Sequence, residues 1–285
     1  MKLLCVMNDR ARAQSGFRTD QGQAILVETE QGRVLLDTGS SGSKLLYNLD
    51  VAGIDAPSID ALVLSHAHDD HTGGVVALLN RTGRIPLYAH ADILRERFSL
   101  RSVLPSLARR WLRLGAMRSR GLPVSLEALE RSAQLHLSAD PQQVLPDVYT
   151  TGEITERPEL EGRSKHHFVR GEVGWTPDPY RDDVSLVVRA AQGLVVVCGC
   201  CHAGLLNTLL KVRSSYDEPI HGVVGGLHLR DLSDSQLQRI VDVLREYGAV
   251  RLYPNHCTGD RALAALTNAF GARVTPCPAG AELVF

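Results

Sequence analysis

Nowhere does this chain carry an apolar run approaching the ~20 residues that a membrane-spanning helix needs. The opening stretch from Met1 to Asp9 turns polar too soon for a signal peptide, so a cytoplasmic protein with no membrane partner is expected. An excess of one charge is lacking too. The formal net charge is −1, which removes any overall electrostatic case for nucleic acid or a membrane surface, although charge can still be segregated locally. Outside Cys198-Gly199-Cys200-Cys201 there is no CxxC pair, hence no separate structural zinc site. The six cysteines, in a chain with no export signal, are expected as reduced thiols rather than disulfides. Internal repeats and low-complexity tracts are absent as well.

What is present suffices for one large α/β domain spanning 1–285: 285 residues, 44% of them hydrophobic, with 25 glycines. Strands are expected over Leu3 to Met7, Ala24 to Glu28 and Val34 to Asp37, then a helix near Ser43 to Asp50. After the middle of the chain the pattern returns. Val184 to Arg189 and Leu194 to Cys198 read as a strand pair, Gly204 to Val212 as a helix and His221 to Val224 as a strand. Ser233-Asp234-Ser235-Gln236 caps a helix reaching about Tyr247, followed by a strand at Val250 to Tyr253 and a helix from Gly259 to Phe270. Two comparable halves of alternating strands and helices suggest two packed sheets with helices outside.

Between the halves, about 91–148 reads as a helix-rich insertion with a basic stretch from Arg95 to Arg120. Two readings stand side by side. The arginines form a solvated face, or the insertion caps a cleft and Arg109, Arg110 and Arg113 clamp a phosphate or carboxylate. Trp111 and Leu112 give the insertion an apolar side, through which it would pack on the body or on a second subunit as a homodimer.

The densest chemistry lies in His66-Ala67-His68-Asp69-Asp70-His71, directly after the apolar run Ala61 to Leu64. Three imidazoles and two carboxylates leave one strand tip together, and that donor mixture suits Zn²⁺, Fe²⁺ or Mn²⁺.

The string His66-x-His68-x-Asp70-His71 after a hydrophobic strand resembles the metal-binding signature of the metallo-β-lactamase superfamily. Val34-Leu35-Leu36-Asp37-Thr38-Gly39, Gly199-Cys200-Cys201-His202-Ala203-Gly204, Gly225-Gly226-Leu227-His228-Leu229 and Pro254-Asn255-His256-Cys257-Thr258-Gly259 resemble a narrower branch, similar to dihydropterin-ribofuranosylaminobenzene phosphate synthases. The resemblance implies a four-layer αββα sandwich and two zinc ions, with iron or manganese as alternatives. It gives His66 and His68 to the first metal and Asp70 and His71 to the second; His202, between the strand ending at Cys198 and the helix from Gly204, joins the first, and His256, between the strand ending at Tyr253 and the helix from Gly259, closes the second. Asp37 is implied as support for the metal loop. The pattern departs at Gly199-Cys200, where many relatives place a bridging Asp, so Cys200 is a candidate ligand and Cys257 a weaker one.

Asp70 and His228 are expected in catalytic roles, and Thr258 at the substrate, since the helix starts near Ala203-Gly204 and Thr258-Gly259 favour an anion. His90, His136, His166, His167 and His221 are expected to be structural or exposed, His166-His167 lying in a loop. The function implied is hydrolysis of a small anionic metabolite, phosphoester or ester-like and pterin-related, by a metal-activated water. A non-catalytic binding protein with a structural metal is the alternative. A nuclease is disfavoured by the short insertion.

Overall fold

The computed structural model describes residues 1–100 and 117–285. Its strands in chain order are β1 Lys2–Met7, β2 Ala24–Thr29, β3 Gly32–Leu36, β4 Ala61–Val63, β5 Ile85–Ala89, β6 Arg97–Leu100, β7 Met117–Ser119, β8 Ala133–Leu137 and β9 Gln143–Leu145. They continue as β10 Val148–Thr150, β11 His167–Arg170, β12 Trp175–Pro177, β13 Ser185–Ala190, β14 Gly193–Cys198, β15 Ile220–Gly226, β16 Arg251–Asn255 and β17 Glu282–Val284. The helices are α1 Gly42–Val51, α2 Asp69–Thr72, α3 Val75–Thr82, α4 Leu126–Ser132, α5 Leu205–Ser215, α6 Asp234–Glu246 and α7 Asp260–Phe270. Among the described residues none of these is long and apolar enough to cross a membrane.

Near-continuous hydrophobic strands bury both of their faces, which forces a layered architecture. In β1, Leu3 and Cys5 point to one core while Leu4 and Val6 point to another. In β14, Val195 and Val197 join the first of these, whereas Leu194, Val196 and Cys198 join a third. The shared core therefore lies between two sheets, ordered β17-β1-β2-β3-β4-β5-β8 and β16-β15-β14-β13-β10-β9. The outer cores take α1, α3 and α4 on one side and α5, α6 and α7 on the other. This is the expected αββα sandwich. The capping box of α6 is present as read, with Ser233 Oγ accepting from Gln236 N at 3.3 Å and Gln236 Oε1 accepting from Ser233 N at 2.8 Å.

The expected helix-rich insertion over 91–148 needs correction among the described residues. Within it β8 extends the first sheet and β9 and β10 extend the second. Ala133 is buried while its neighbour Gln134 and the next alternate residue His136 are more exposed, a period of two that selects a strand despite helix-favouring composition. Only β6 and β7 leave the sandwich, and they pair with β11 and β12 from later in the chain in a small sheet β12-β11-β6-β7. Arg109, Arg110 and Arg113, and with them the proposed clamp and dimer face, lie outside the described residues.

One buried cation fastens this small sheet to the body. Arg97 of β6, 2% exposed, reaches Asp92 at 3.2 Å, Asp178 at 2.9 Å and Asp182 at 2.7 Å. The other Asp182 oxygen accepts the Ala67 N–H at 2.8 Å, inside the histidine loop. β3, β4 and β5 run parallel, as do β14, β15 and β16, so both halves aim the carboxyl ends of parallel strands at one edge, where open α/β sheets place their ligands.

Candidate metal centre

At the end of β3 the backbone turns through Asp37 at φ +62°, a left-handed conformation that Asp tolerates better than most residues. Its carboxylate accepts from Ser65 N at 2.8 Å, Ser65 Oγ at 2.7 Å and His71 Nδ1 at 2.6 Å. Asp37 thus ties the strand to both ends of the histidine loop. Burial alone would depress the His71 pKa, but the adjacent Asp37 carboxylate raises it to about 9. With Nδ1 engaged, Nε2 faces inward and lies 3.2 Å from Cys200 Sγ.

The loop itself folds tightly enough to exclude any side chain from its neighbours. A Cβ on Gly22 would sit 1.6 Å from the Asp70 carbonyl oxygen, and one on Gly199 would sit 2.1 Å from Ser65 Oγ. Glycine at these two positions lets strands from opposite sheets close on the loop. His66 Nδ1 pairs with Ser65 Oγ at 2.9 Å, and His66 Nε2 lies 3.1 Å from His68 Nδ1.

From the second sheet, β14 delivers Cys200 and His202, with Cys201 between them at φ +53°. His202 Nδ1 donates to Gly162 O at 2.9 Å, and its ring stacks on Tyr180 at 4.2 Å with planes 9° apart. β16 delivers His256, whose Nδ1 pairs with Asp9 Oδ1 at 2.8 Å and whose Nε2 is 3.6 Å from Asp70 Oδ2. Asp70 also accepts from Gln21 Nε2 at 3.1 Å. Against the desolvation that burial imposes, His71, His256 and Arg120 hold its carboxyl below the ordinary carboxylate value.

The donor atoms gather in overlapping sets, each within 4.8 Å: His66, His68 and His202; Asp70, His71 and His256; His66, His71 and Cys200; Cys200, His256 and Cys257. The structure thus brings together every metal-ligand candidate named from the sequence and places Cys200 between the two trios. Within the first trio, the buried His68 Nε2 and His202 Nε2 have no hydrogen-bond partner among the described residues. Burial, reinforced by mutual repulsion, holds His66, His68 and His202 well below the usual histidine pKa. Neutral imidazoles with unsatisfied nitrogens are the form in which histidine ligates, so the donor set fits a divalent metal. Burial drives the Cys200 thiol up, and Cys257, beside Cys200, His256 and His228, ionises first of the pair.

Other expected site residues fall nearby without joining a donor set. The His228 ring is 4.4 Å from that of His202, at φ +50°, and its N–H donates to Cys257 Sγ at 3.2 Å. Thr258 Oγ1 accepts from Leu227 N at 3.2 Å, linking two site loops, and the residue also borders a cavity of about 430 Å³ beside His256. The anion seat expected near Ala203 is already taken by the protein, since Asp183 Oδ2 accepts the Ala203 N–H at 2.7 Å.

The sequence reading set His167 aside as a loop residue and passed over Tyr180. His167 does not lie in a loop but begins β11, and its ring is 4.8 Å from that of His68. Burial, with Arg120 adding to it, lowers its pKa to about 4. Tyr180 lies under His202. No local motif marks either, because each reaches the centre through long-range packing. His136, by contrast, stacks on Tyr88 at 4.5 Å, away from the centre.

Asp183 supplies a pH test. Burial raises its pKa to about 7, from about 3.9 in an unfolded chain. A carboxyl raised in the folded state contributes stability that is fully present below the unfolded value and is lost as pH rises through the folded one. Asp183→Asn, which retains an acceptor for Ala203, should flatten this dependence. Between pH 5 and 8 the metal-stripped wild type should lose roughly 2–3 kcal/mol relative to the variant in denaturant titrations. Parallel pH profiles would refute the assignment.

These features can be set beside known proteins. The family model described as the Metallo-beta-lactamase superfamily matches residues 17–256. A 7,8-dihydropterin-6-methyl-4-(beta-D-ribofuranosyl)-aminobenzene-5'-phosphate synthase of Methanocaldococcus jannaschii is 28% identical over 273 residues, covering 92% of this chain and 89% of the relative. The crystal structure of Tm1679, a metal-dependent hydrolase of the beta-lactamase superfamily, superposes with a TM-score of 0.83 at 26% identity, covering 100% of this chain and 99% of the other. A diphosphatase from the PhnP family shares the fold at a TM-score of 0.52 and 13% identity, covering 100% and 97%. With a family match across most of its length, and with its histidine-rich loop at the edge of an αββα sandwich, the chain belongs to the metallo-beta-lactamase superfamily.

Proposed function

We propose that this chain is a cytoplasmic, metal-dependent hydrolase of a small anionic metabolite carrying a phosphoester or ester-like bond. The observation that carries the reading is the pair of donor trios, His66, His68 and His202 beside Asp70, His71 and His256, joined by Cys200. Two zinc ions are the proposed occupants. When bound, such ions supply Lewis acidity toward water and substrate oxygens.

The chain's own residues prepare that chemistry. The Asp37–His71 and Asp9–His256 pairs orient two imidazoles through their Nδ1 atoms, as outer-shell carboxylates do around metal ligands. Asp70, held ionised, contributes negative charge between them. All six cysteines are free, which supports a reducing compartment. The relative's name points to a phosphorylated pterin derivative as one substrate to try.

Elemental analysis combined with a screen of phosphomonoesters, phosphodiesters, lactones and thioesters tests the proposal. Turnover that chelators abolish and zinc restores supports it. Full metal loading without turnover of any class supports a binding protein with a structural metal instead. Position 200 gives a sharper test, because its Sγ joins both trios. Cys200→Ala should weaken the second metal at least about tenfold in chelator competition, whereas Cys200→Asp should retain both ions, since a carboxylate also ligates zinc. Unchanged affinity in Cys200→Ala would reduce this cysteine to packing.

A further inference from the structure

His167 is held by contacts that give one ring nitrogen a defined state. Tyr180 is fully buried, at 0% exposure, so its hydroxyl proton needs an acceptor inside the protein. The hydroxyl oxygen accepts the Ser164 N–H at 3.3 Å. Among the described residues its remaining partner is His167 Nδ1, at 2.7 Å. The hydroxyl therefore donates to Nδ1, and a neutral imidazole whose Nδ1 accepts carries its own proton on Nε2.

That Nε2–H has no protein partner among the described residues. The ring stands edge-on to His68, with centroids 4.8 Å apart and planes at 85°, and 6.5 Å from the ring of His202. The same Tyr180 that fixes its tautomer stacks on His202. A hydrogen-bond donor is thus mounted beside the first donor trio by the small sheet, which the Arg97 ion cluster pins in place.

We propose that His167 is a substrate-binding residue whose Nε2–H donates to an oxygen of a phosphoryl group held at the His66, His68 and His202 trio, and that Tyr180 is the positioning residue that fixes this tautomer. The proposal takes its ligand class from the hydrolase reading. It adds the residue that grips the anion, on an element outside the sandwich.

The experiment uses zinc-loaded protein and inorganic phosphate as the probe, titrated calorimetrically, with metal content measured in parallel and histidine ¹⁵N shifts reporting the tautomer. His167→Ala should weaken phosphate binding about tenfold with metal content unchanged. His167→Gln, which restores an N–H donor, should recover part of the loss. Tyr180→Phe should weaken binding about threefold and shift His167 toward a mixture of tautomers. Unchanged affinity in His167→Ala, loss of a metal ion in that variant, or no phosphate binding by the wild type would each overturn the inference. If His167→Ala does not fold, Tyr180→Phe decides, since it removes only a hydroxyl; unchanged affinity and tautomer there would overturn it. Protein that binds phosphate through His167 yet turns over no ester would retain this inference and refute the hydrolase reading.

Discussion

With His68 replaced by Ala, the purified protein is expected to hold about one metal ion fewer per chain and, on the proposed hydrolase function, to lose ~10³-fold or more of the rate. The expectation follows from the packing of the first trio. His66 Nε2 and His68 Nδ1 lie 3.1 Å apart, and His202 completes a set within 4.8 Å, so removing one donor of three leaves too few protein ligands to retain the ion. The fold should survive. Its cores are built from the faces of the two sheets, and His68 belongs to none of them. His136→Ala serves as the control, because that ring stacks on Tyr88. Elemental analysis and steady-state kinetics give both readouts, and equal metal loss in the two variants would sink the assignment.

A second large effect is expected at Arg97, for reasons of charge rather than ligation. The guanidinium is buried among Asp92, Asp178 and Asp182. Arg97→Met would keep most of the volume but leave buried carboxylates without their cation, a loss of about 3–5 kcal/mol. Asp178 and Asp182 would both feel it, since each is buried and already accepts a backbone N–H, from Tyr180 and Ala67 respectively. A fall in melting temperature on the order of 10 °C should follow, and Arg97→Lys should restore only part of it, because one ammonium cannot match a planar fork. A loss below about 1 kcal/mol would mean that the carboxylates pick up protons and need no partner.

The sandwich was legible in the sequence because its strands alternate or run apolar where the sheets bury them, and because Ser233 and Gln236 mark a helix start locally. The histidine loop was legible for a similar reason: its donors are neighbours in the chain. His202 and His256 could be read from their place just after strands. Among the described residues, the stretch that forms β8 was misread as helical because composition outweighed its short two-residue period. His167 was set aside as a loop residue and Tyr180 was passed over, because nothing within a few residues of either shows that β11 will pair with β6 and lean over His68. Asp182 and Asp183 look like any acidic pair in a loop until the fold buries them beneath the loops that carry the ligands.

The hydrogen bonds that close the centre join positions far apart in the chain. His71 meets Cys200 across 129 residues, Gln23 meets the Cys198 carbonyl across 175, and Asn8 meets His256 across 248. Pairings this distant close large loops before they return any energy, so they form late and slowly in folding. The first donor trio spans residues 66 to 202 and the second 70 to 256, so each draws its donors from loops of both sheets. Metal capture by a refolding chain should therefore lag behind helix and strand formation and coincide with the docking of the two halves, so that the ion reports on the final step of assembly.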